Sequence, residues 1–225
     1  MTGSSALGDG GQMLVFDMDG VLVDVTESYR ETIVLTVQHF TGQTISRDSI
    51  QDYKNQGGWN NDWLLSQKIC SDLGVEIPYA TIVEYFTYLF LNQGMIHRER
   101  WLPRDGLLDR LAERFELAIF TGRTTEEAEI TLNREGLRDR FLLVSADDVE
   151  LEKPAPDGLL KIAAMHPSKK LLYIGDTVDD ARCAKAAYVP FIGIASRHSP
   201  RRAELVDLLQ LEGAIQVIED VNEIG

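Results

Sequence analysis

Six short apolar runs constrain this chain more than any other feature: MLVF (13–16), LAIF (117–120), FLLV (141–144), LLYI (171–174), VPFIGIA (189–195) and IQVI (215–218). They are apolar throughout rather than alternating, the pattern of strands covered on both faces of a parallel sheet. Helical patterns separate the later ones, over 125–135, 156–165, 179–187 and 201–211. Strands alternating with helices predict an α/β fold, a doubly wound and mostly parallel sheet (a Rossmann-like core) with right-handed crossovers. A chain of 225 residues holds one large domain or two modest ones, and buries enough surface to fold without a disulfide or a structural metal.

The first two runs are about a hundred residues apart, too far for a simple crossover. The gap contains no good strand run and shows helical patterns at 27–40, 60–73 and 79–96. It predicts a helical cap domain over 26–101, inserted into a catalytic core made of 12–25 plus 102–225. The return hinge falls at Trp101 to Arg104, with Pro103 at the boundary. Residues 1–11 read as a flexible Gly/Ser leader; they carry no basic residue and no long apolar stretch, so they do not resemble a secretory signal.

The balance of 22 Lys+Arg against 36 Asp+Glu gives a net charge of −14. A chain so acidic repels a phosphate backbone, which argues against nucleic acid as partner but leaves room for a small anion at a local site. No window approaches the roughly 18 apolar residues of a membrane span. Cys70 and Cys183 are far apart and read as reduced thiols, consistent with a cytoplasmic protein, and they are too few for a zinc site. A monomer or a homodimer is expected.

Polar residues follow the strands. MLVF runs into Asp17-Met18-Asp19-Gly20, LAIF into Thr121-Gly122-Arg123, and LLYI into Gly175-Asp176-Thr177-Val178-Asp179-Asp180. Lys153-Pro154 lies shortly after FLLV. In open α/β sheets ligands bind beyond the carboxyl ends of strands. Taken singly, each has a plain reading: a solvated turn at Asp17–Gly20, helix caps at Thr121 and Asp176, a surface lysine at 153. A calcium loop beginning at Asp17 fails, because its fifth, sixth and twelfth positions would be Val21, Leu22 and Ser28. Together, Asp, Thr, Lys and Asp at successive strand ends are the residue types that phosphoryl transfer through an aspartate requires.

In these motifs the chain resembles the haloacid dehalogenase superfamily, in its branch with a helical cap after the first strand (phosphoglycolate phosphatase and β-phosphoglucomutase-like proteins). Asp17-x-Asp19-Gly-Val is similar to the first motif, Thr121 to the second, Lys153-Pro154 to the third and Gly175-Asp176-x-x-x-Asp180 to the fourth. Many relatives have Asn soon after the second-motif hydroxyl. Here Gly122-Arg123 stands instead, and Arg123 reads as a solvated residue at a helix start in preference to an extra anion contact.

The resemblance implies a phosphatase acting on a small phosphorylated metabolite through an aspartyl-phosphate. Asp17 is then the nucleophile and Asp19 the general acid and base; a dehalogenase needs no second aspartate, because halide leaves unprotonated. Thr121 and the Gly122 N–H, placed at a helix start, bind phosphoryl oxygens, and Lys153 neutralises the developing charge. Mg²⁺ is the implied cofactor, held by Asp17, Asp176 and the Asp19 carbonyl. Asp180 supports this set or orients Lys153, with Asp179 the competing choice by position.

In the cap, Lys54 to Trp63 suits a loop over a polar small molecule, and Gln56, Gly57 and Gly58 are the candidate substrate contacts. The alternative is a helix–helix turn with Trp59 or Trp63 in the cap core. Tyr85, Phe86, Tyr88 and Phe90 read as cap core. Arg197, His198, Arg201 and Arg202 read as a solvated basic rim, with Ser199-Pro200 opening a helix. A phosphomutase of β-phosphoglucomutase type would use the same four motifs, and a catalytically silent binding or regulatory module is the reading from another class.

Overall fold

The computed structural model describes residues 11–225. The leader expectation therefore lies, but for Gly11, outside the described residues. Six strands form one parallel sheet: β1 (Gln12–Phe16), β4 (Glu116–Phe120), β5 (Leu142–Val144), β6 (Lys170–Gly175), β7 (Phe191–Ile194) and β8 (Gln216–Ile218). Their order is β5-β4-β1-β6-β7-β8. The chain winds outward one way from β1 through β4 and β5, then returns to β6 and winds the other way. This is the expected α/β doubly wound topology, and it places the crevice at the carboxyl end of β1.

Successive side chains of a strand face opposite ways. Leu14 and Phe16 accordingly join one buried cluster, and Met13 and Val15 another. Both faces are covered, which is why the strand sequences are continuously apolar rather than alternating. Cys70 and Cys183 are buried free thiols. Among the described residues, no helix is long and apolar enough to cross a membrane.

Between β1 and β4 the chain crosses into a helical insertion and back. Two-residue strands mark the crossings: β2 (Val23–Asp24) going out and β3 (Arg100–Trp101) returning, paired antiparallel. The sequence showed no strand here, because two residues carry no periodicity. The Leu102 N–H donates to the Leu22 carbonyl at 2.9 Å and that of Arg104 to Asn222 Oδ1 at 2.7 Å, which fixes the return.

Helices α1 (Tyr29–Thr41), α2 (Arg47–Gln56), α3 (Asp62–Asp72) and α4 (Tyr79–Thr87) fill the insertion. The expected helix over 79–96 is α4 followed by a π-helical turn (Tyr88–Asn92) and a 3₁₀ turn (Met95–Arg98), with Gly94 between them in a left-handed conformation. Phe86 and Phe90 are fully buried against Tyr29, and Tyr85 stacks on His39 with ring centroids 3.9 Å apart. Tyr88, by contrast, is exposed.

In the sheet layer, α5 (Leu107–Ala112), α6 (Thr125–Arg134), α7 (Asp157–Met165), α8 (Val178–Ala186) and α9 (Arg202–Leu211) cover the faces. Ser199 and Pro200 precede α9 in a turn rather than opening it, and Arg201 occupies the N-cap. The basic rim is paired: Arg197 with Glu219 at 2.5 Å and Arg201 with Asp52 at 2.9 Å.

Candidate active site

Register brings the predicted residues to one edge. Phe16 pairs with Ile119 on β4 and with Ile174 on β6. The chain therefore leaves three adjacent strands at one level, delivering Asp17, Thr121 and Asp176. Lys153, on the loop after β5, reaches the same point from one side. The Lys153-Pro154 peptide is cis.

Lys153 Nζ lies 2.8 Å from Asp17 Oδ1 and 2.8 Å from Asp180 Oδ1. It sits over the rings of Phe120 (4.9 Å) and Tyr173 (5.5 Å). Burial disfavours its charge, but the two carboxylates outweigh that and raise its pKa. Burial also acts on Asp17. Against Lys153, and together with the neighbouring Asp180 and Asp19, it pushes the Asp17 carboxyl up to about 7.

Asp180 shows the opposite balance. Burial raises it, but Lys153, Thr177 and Tyr173 hold it below the usual carboxylate range. Its Oδ1 also accepts from the Tyr173 hydroxyl at 2.6 Å, and its Oδ2 accepts from the Thr177 N–H (3.0 Å) and hydroxyl (2.6 Å). Thr177, not Asp176, is the N-cap of α8, in a reciprocal capping box with Asp180. Gly175 permits this approach, since a Cβ there would lie 2.5 Å from that of Asp180.

Asp17, Asp176 and Asp180 each present an oxygen within 4.8 Å of the others. No protein hydrogen bond reaches Asp176 among the described residues, and burial, Asp180 and Asp17 hold its carboxyl well above the usual range. Gly20, at φ +73°, passes so close that a Cβ would stand 1.9 Å from Asp176 Oδ2. A half-buried carboxylate with no protein hydrogen bond, set among other carboxylates, fits a hard divalent cation. Because Asp180 has both oxygens committed to protein donors, Asp17 and Asp176 are the side chains left for such an ion.

Asp17, Asp19 and Asp176 line one cavity, and burial, outweighing Arg123, raises the Asp19 carboxyl. Thr121 is buried, and its Oγ1 accepts from the Arg123 N–H at 3.2 Å. It does not cap α6; Thr124 does, in a capping box with Glu127. Gly122 therefore lies before the helix rather than at its start, and it faces Asn60 of the insertion.

Arg123 departs from expectation. It is buried, and its guanidinium binds Asp19, Glu99 and Thr131. Nothing nearby in sequence announced this, because the carboxylate that its fork grips, Asp19, lies 104 residues earlier in the chain.

Gln56, Gly57 and Gly58 do not line the cavity. Asp179 on α8 accepts from the Gly58 N–H (2.7 Å) and the Trp59 N–H (3.1 Å), and Arg182 donates to the Gln56 carbonyl at 3.2 Å. This stretch docks the insertion on the sheet layer, and Asp179 is its docking carboxylate. From the insertion, Tyr29, Arg30, Lys54 and the stretch Asn60 to Trp63 line the cavity. Lys54 is paired with Asp62 at 2.5 Å.

Residues 14–194 match the haloacid dehalogenase-like hydrolase family. Among curated proteins, the chain is 31% identical over 200 residues to an imidazoleglycerol-phosphate dehydratase of Phytophthora nicotianae, across 81% of this chain and 43% of that one. It is 26% identical to a phosphoglycolate phosphatase of Colwellia psychrerythraea, across 81% and 84%. The chain thus spans less than half of the first relative and most of the second. Among solved structures, a haloacid dehalogenase-like protein from Agrobacterium tumefaciens superposes with a TM-score of 0.75 at 21% identity, over 96% of both chains. By its matched residues and its fold, this chain belongs to the haloacid dehalogenase-like hydrolases.

Proposed function

We propose that the chain is a Mg²⁺-dependent phosphatase that hydrolyses a small phosphorylated metabolite through an aspartyl-phosphate on Asp17. One observation carries the reading: Lys153 bridges Asp17 and Asp180 at 2.8 Å each, with Asp176 unpartnered in the same cluster. The relatives named as phosphoglycolate phosphatases support the reaction class.

Lys153 fixes Asp17 Oδ1, so Oδ2 is the oxygen for phosphorus. As the Asp17–phosphorus bond forms, the ester oxygen–phosphorus bond breaks, and Asp19 gives its proton to the leaving oxygen. Asp19 then takes a proton from water, whose oxygen bonds phosphorus as the Asp17–phosphorus bond breaks. Thr121 and the Gly122 N–H hold the phosphoryl oxygens, and Lys153 balances their charge. Asp17, Asp176 and the Asp19 carbonyl are the residues to hold Mg²⁺, which supplies charge neutralisation between two anions. Asp180 orients Lys153. The helical insertion over 26–101 acts as the cap, excluding water and choosing the substrate through Lys54 and Asn60 to Trp63.

A panel of phosphorylated metabolites and an aryl phosphate, with and without Mg²⁺, tests this. Turnover should need the ion and should vanish in Asp17→Asn while the fold persists. An Asp17→Asn variant as active as the wild type excludes the nucleophile.

A further inference from the structure

Arg123 has no part in the reaction proposed above, yet its side chain is 1% exposed and all three guanidinium nitrogens are engaged. Nε and Nη2 donate to Asp19 Oδ1 at 2.8 and 2.5 Å, and Nη1 donates to Thr131 Oγ1 at 3.0 Å. Nη2 also pairs with Glu99 Oε1 at 2.8 Å. Glu99 is fully buried; its Oε2 accepts from the Thr131 hydroxyl (2.7 Å) and from Arg134 (3.0 Å). The guanidinium lies over the Tyr29 ring, 4.9 Å from its centroid.

Tyr29 begins α1, just after the outgoing strand β2, and Glu99 immediately precedes the returning strand β3. Arg123 is therefore gripped from both crossings between the sheet and the insertion, while its own fork grips Asp19. We propose that Arg123 is a positioning residue for Asp19, fixing the proton-carrying carboxyl beside the nucleophile and taking its own place from Tyr29 and Glu99 on the two cap crossings. This rests on the phosphatase reading.

Both Arg123 bonds to Asp19 land on Oδ1, which leaves Oδ2 as the oxygen that carries the proton. A planar fork held on three sides sets the orientation of that carboxyl, which a lysine, as a point charge, does not. Thr131 and Arg134 both reach Glu99 Oε2 and leave Oε1 to Arg123, but a purely structural pair with Glu99 would need neither the two bonds to Asp19 nor a place in the cavity lining.

Losing the fork should therefore slow only the steps that move Asp19's proton. Cleavage of an alkyl ester is one, because its alkoxide must be protonated as the oxygen–phosphorus bond breaks. Hydrolysis of the Asp17 phosphate is the other, because the attacking water must lose a proton. Transfer from 4-nitrophenyl phosphate is not, because nitrophenolate leaves unprotonated.

The test compares wild type, Arg123→Gln and Arg123→Lys in the full chain with Mg²⁺, on 4-nitrophenyl phosphate and on a simple alkyl monophosphate. For Arg123→Gln, stopped flow should show a burst of about one nitrophenolate per site, followed by turnover at least about tenfold slower than wild type. The alkyl-to-aryl rate ratio for the first transfer should fall at least about tenfold, and Arg123→Lys should recover part of it. Should Arg123→Gln fail to fold with Glu99 Oε1 left without its cation, Glu99→Gln/Arg123→Gln removes both charges and should give the same signature. A folded variant with no burst and the wild-type ratio, or with equal losses on both esters, overturns the proposal. Failure of the phosphatase reading looks different: the wild type itself turns over neither ester.

Discussion

Asp17 should make the metal-free protein less stable at neutral pH than its own amide variant. Burial, with Asp180 and Asp19, pushes its carboxyl from 3.8 up to about 7 despite Lys153. A carboxyl raised in this way binds its proton more tightly in the folded chain than in the unfolded one. Its contribution to stability is full below its unfolded pKa and is lost as pH rises through about 7. At about 1.36 kcal/mol per pH unit the loss is at most about 4 to 5 kcal/mol, and about 2–4 kcal/mol once neighbouring side chains relax. Asp17→Asn keeps the shape, cannot ionise, and leaves Lys153 with Asp180 at 2.8 Å. In urea titrations with a chelator present, the variant should match wild type near pH 4. It should pull ahead as pH rises and lead by about 2–4 kcal/mol at pH 8. A variant no more stable than wild type at pH 8 would refute the claim that this carboxylate is held at a cost in the fold.

Four further outcomes follow from the same geometry. Mg²⁺ at about 100 times its Kd should stabilise wild type by about 2.7 kcal/mol in thermal unfolding, and Asp176→Asn should lose most of that shift. Gly20→Ala sets a Cβ 1.9 Å from Asp176 Oδ2 at φ +73°, so it should cost at least about 1 kcal/mol in stability and most of the Mg²⁺ response. Lys153→Met removes the cation between two buried carboxylates; it should cost about 3–5 kcal/mol in denaturant unfolding and abolish turnover. Asp179→Ala releases the Gly58 and Trp59 N–H groups, so KM should rise with little change in the chemical step, read by single-turnover kinetics.

The sheet and the motif positions were legible because each depends on local pattern. A strand buried on both faces must be apolar throughout, and Asp17, Thr121 and Asp176 simply follow such runs. What stayed hidden depends on partners distant in sequence. Apart from Ile50, helix α2 buries the polar side chains of Gln51, Lys54 and Asn55, so it offers no apolar stripe to read. Arg123 reads as solvated because its partner Asp19 is 104 residues away, and only the fold brings them together. Gly57 and Gly58 look like a ligand loop in sequence; the structure uses that stretch to dock on Asp179, a role that depends on a carboxylate 121 residues further on.

The most direct measurement is to quench wild-type protein during turnover of a ³²P-labelled phosphate ester with Mg²⁺ and map the labelled peptide. Hydroxylamine-labile label is expected on the peptide bearing Asp17, and none in Asp17→Asn. Label on another residue, or turnover with no protein-bound phosphate in any variant that slows hydrolysis, would contradict it.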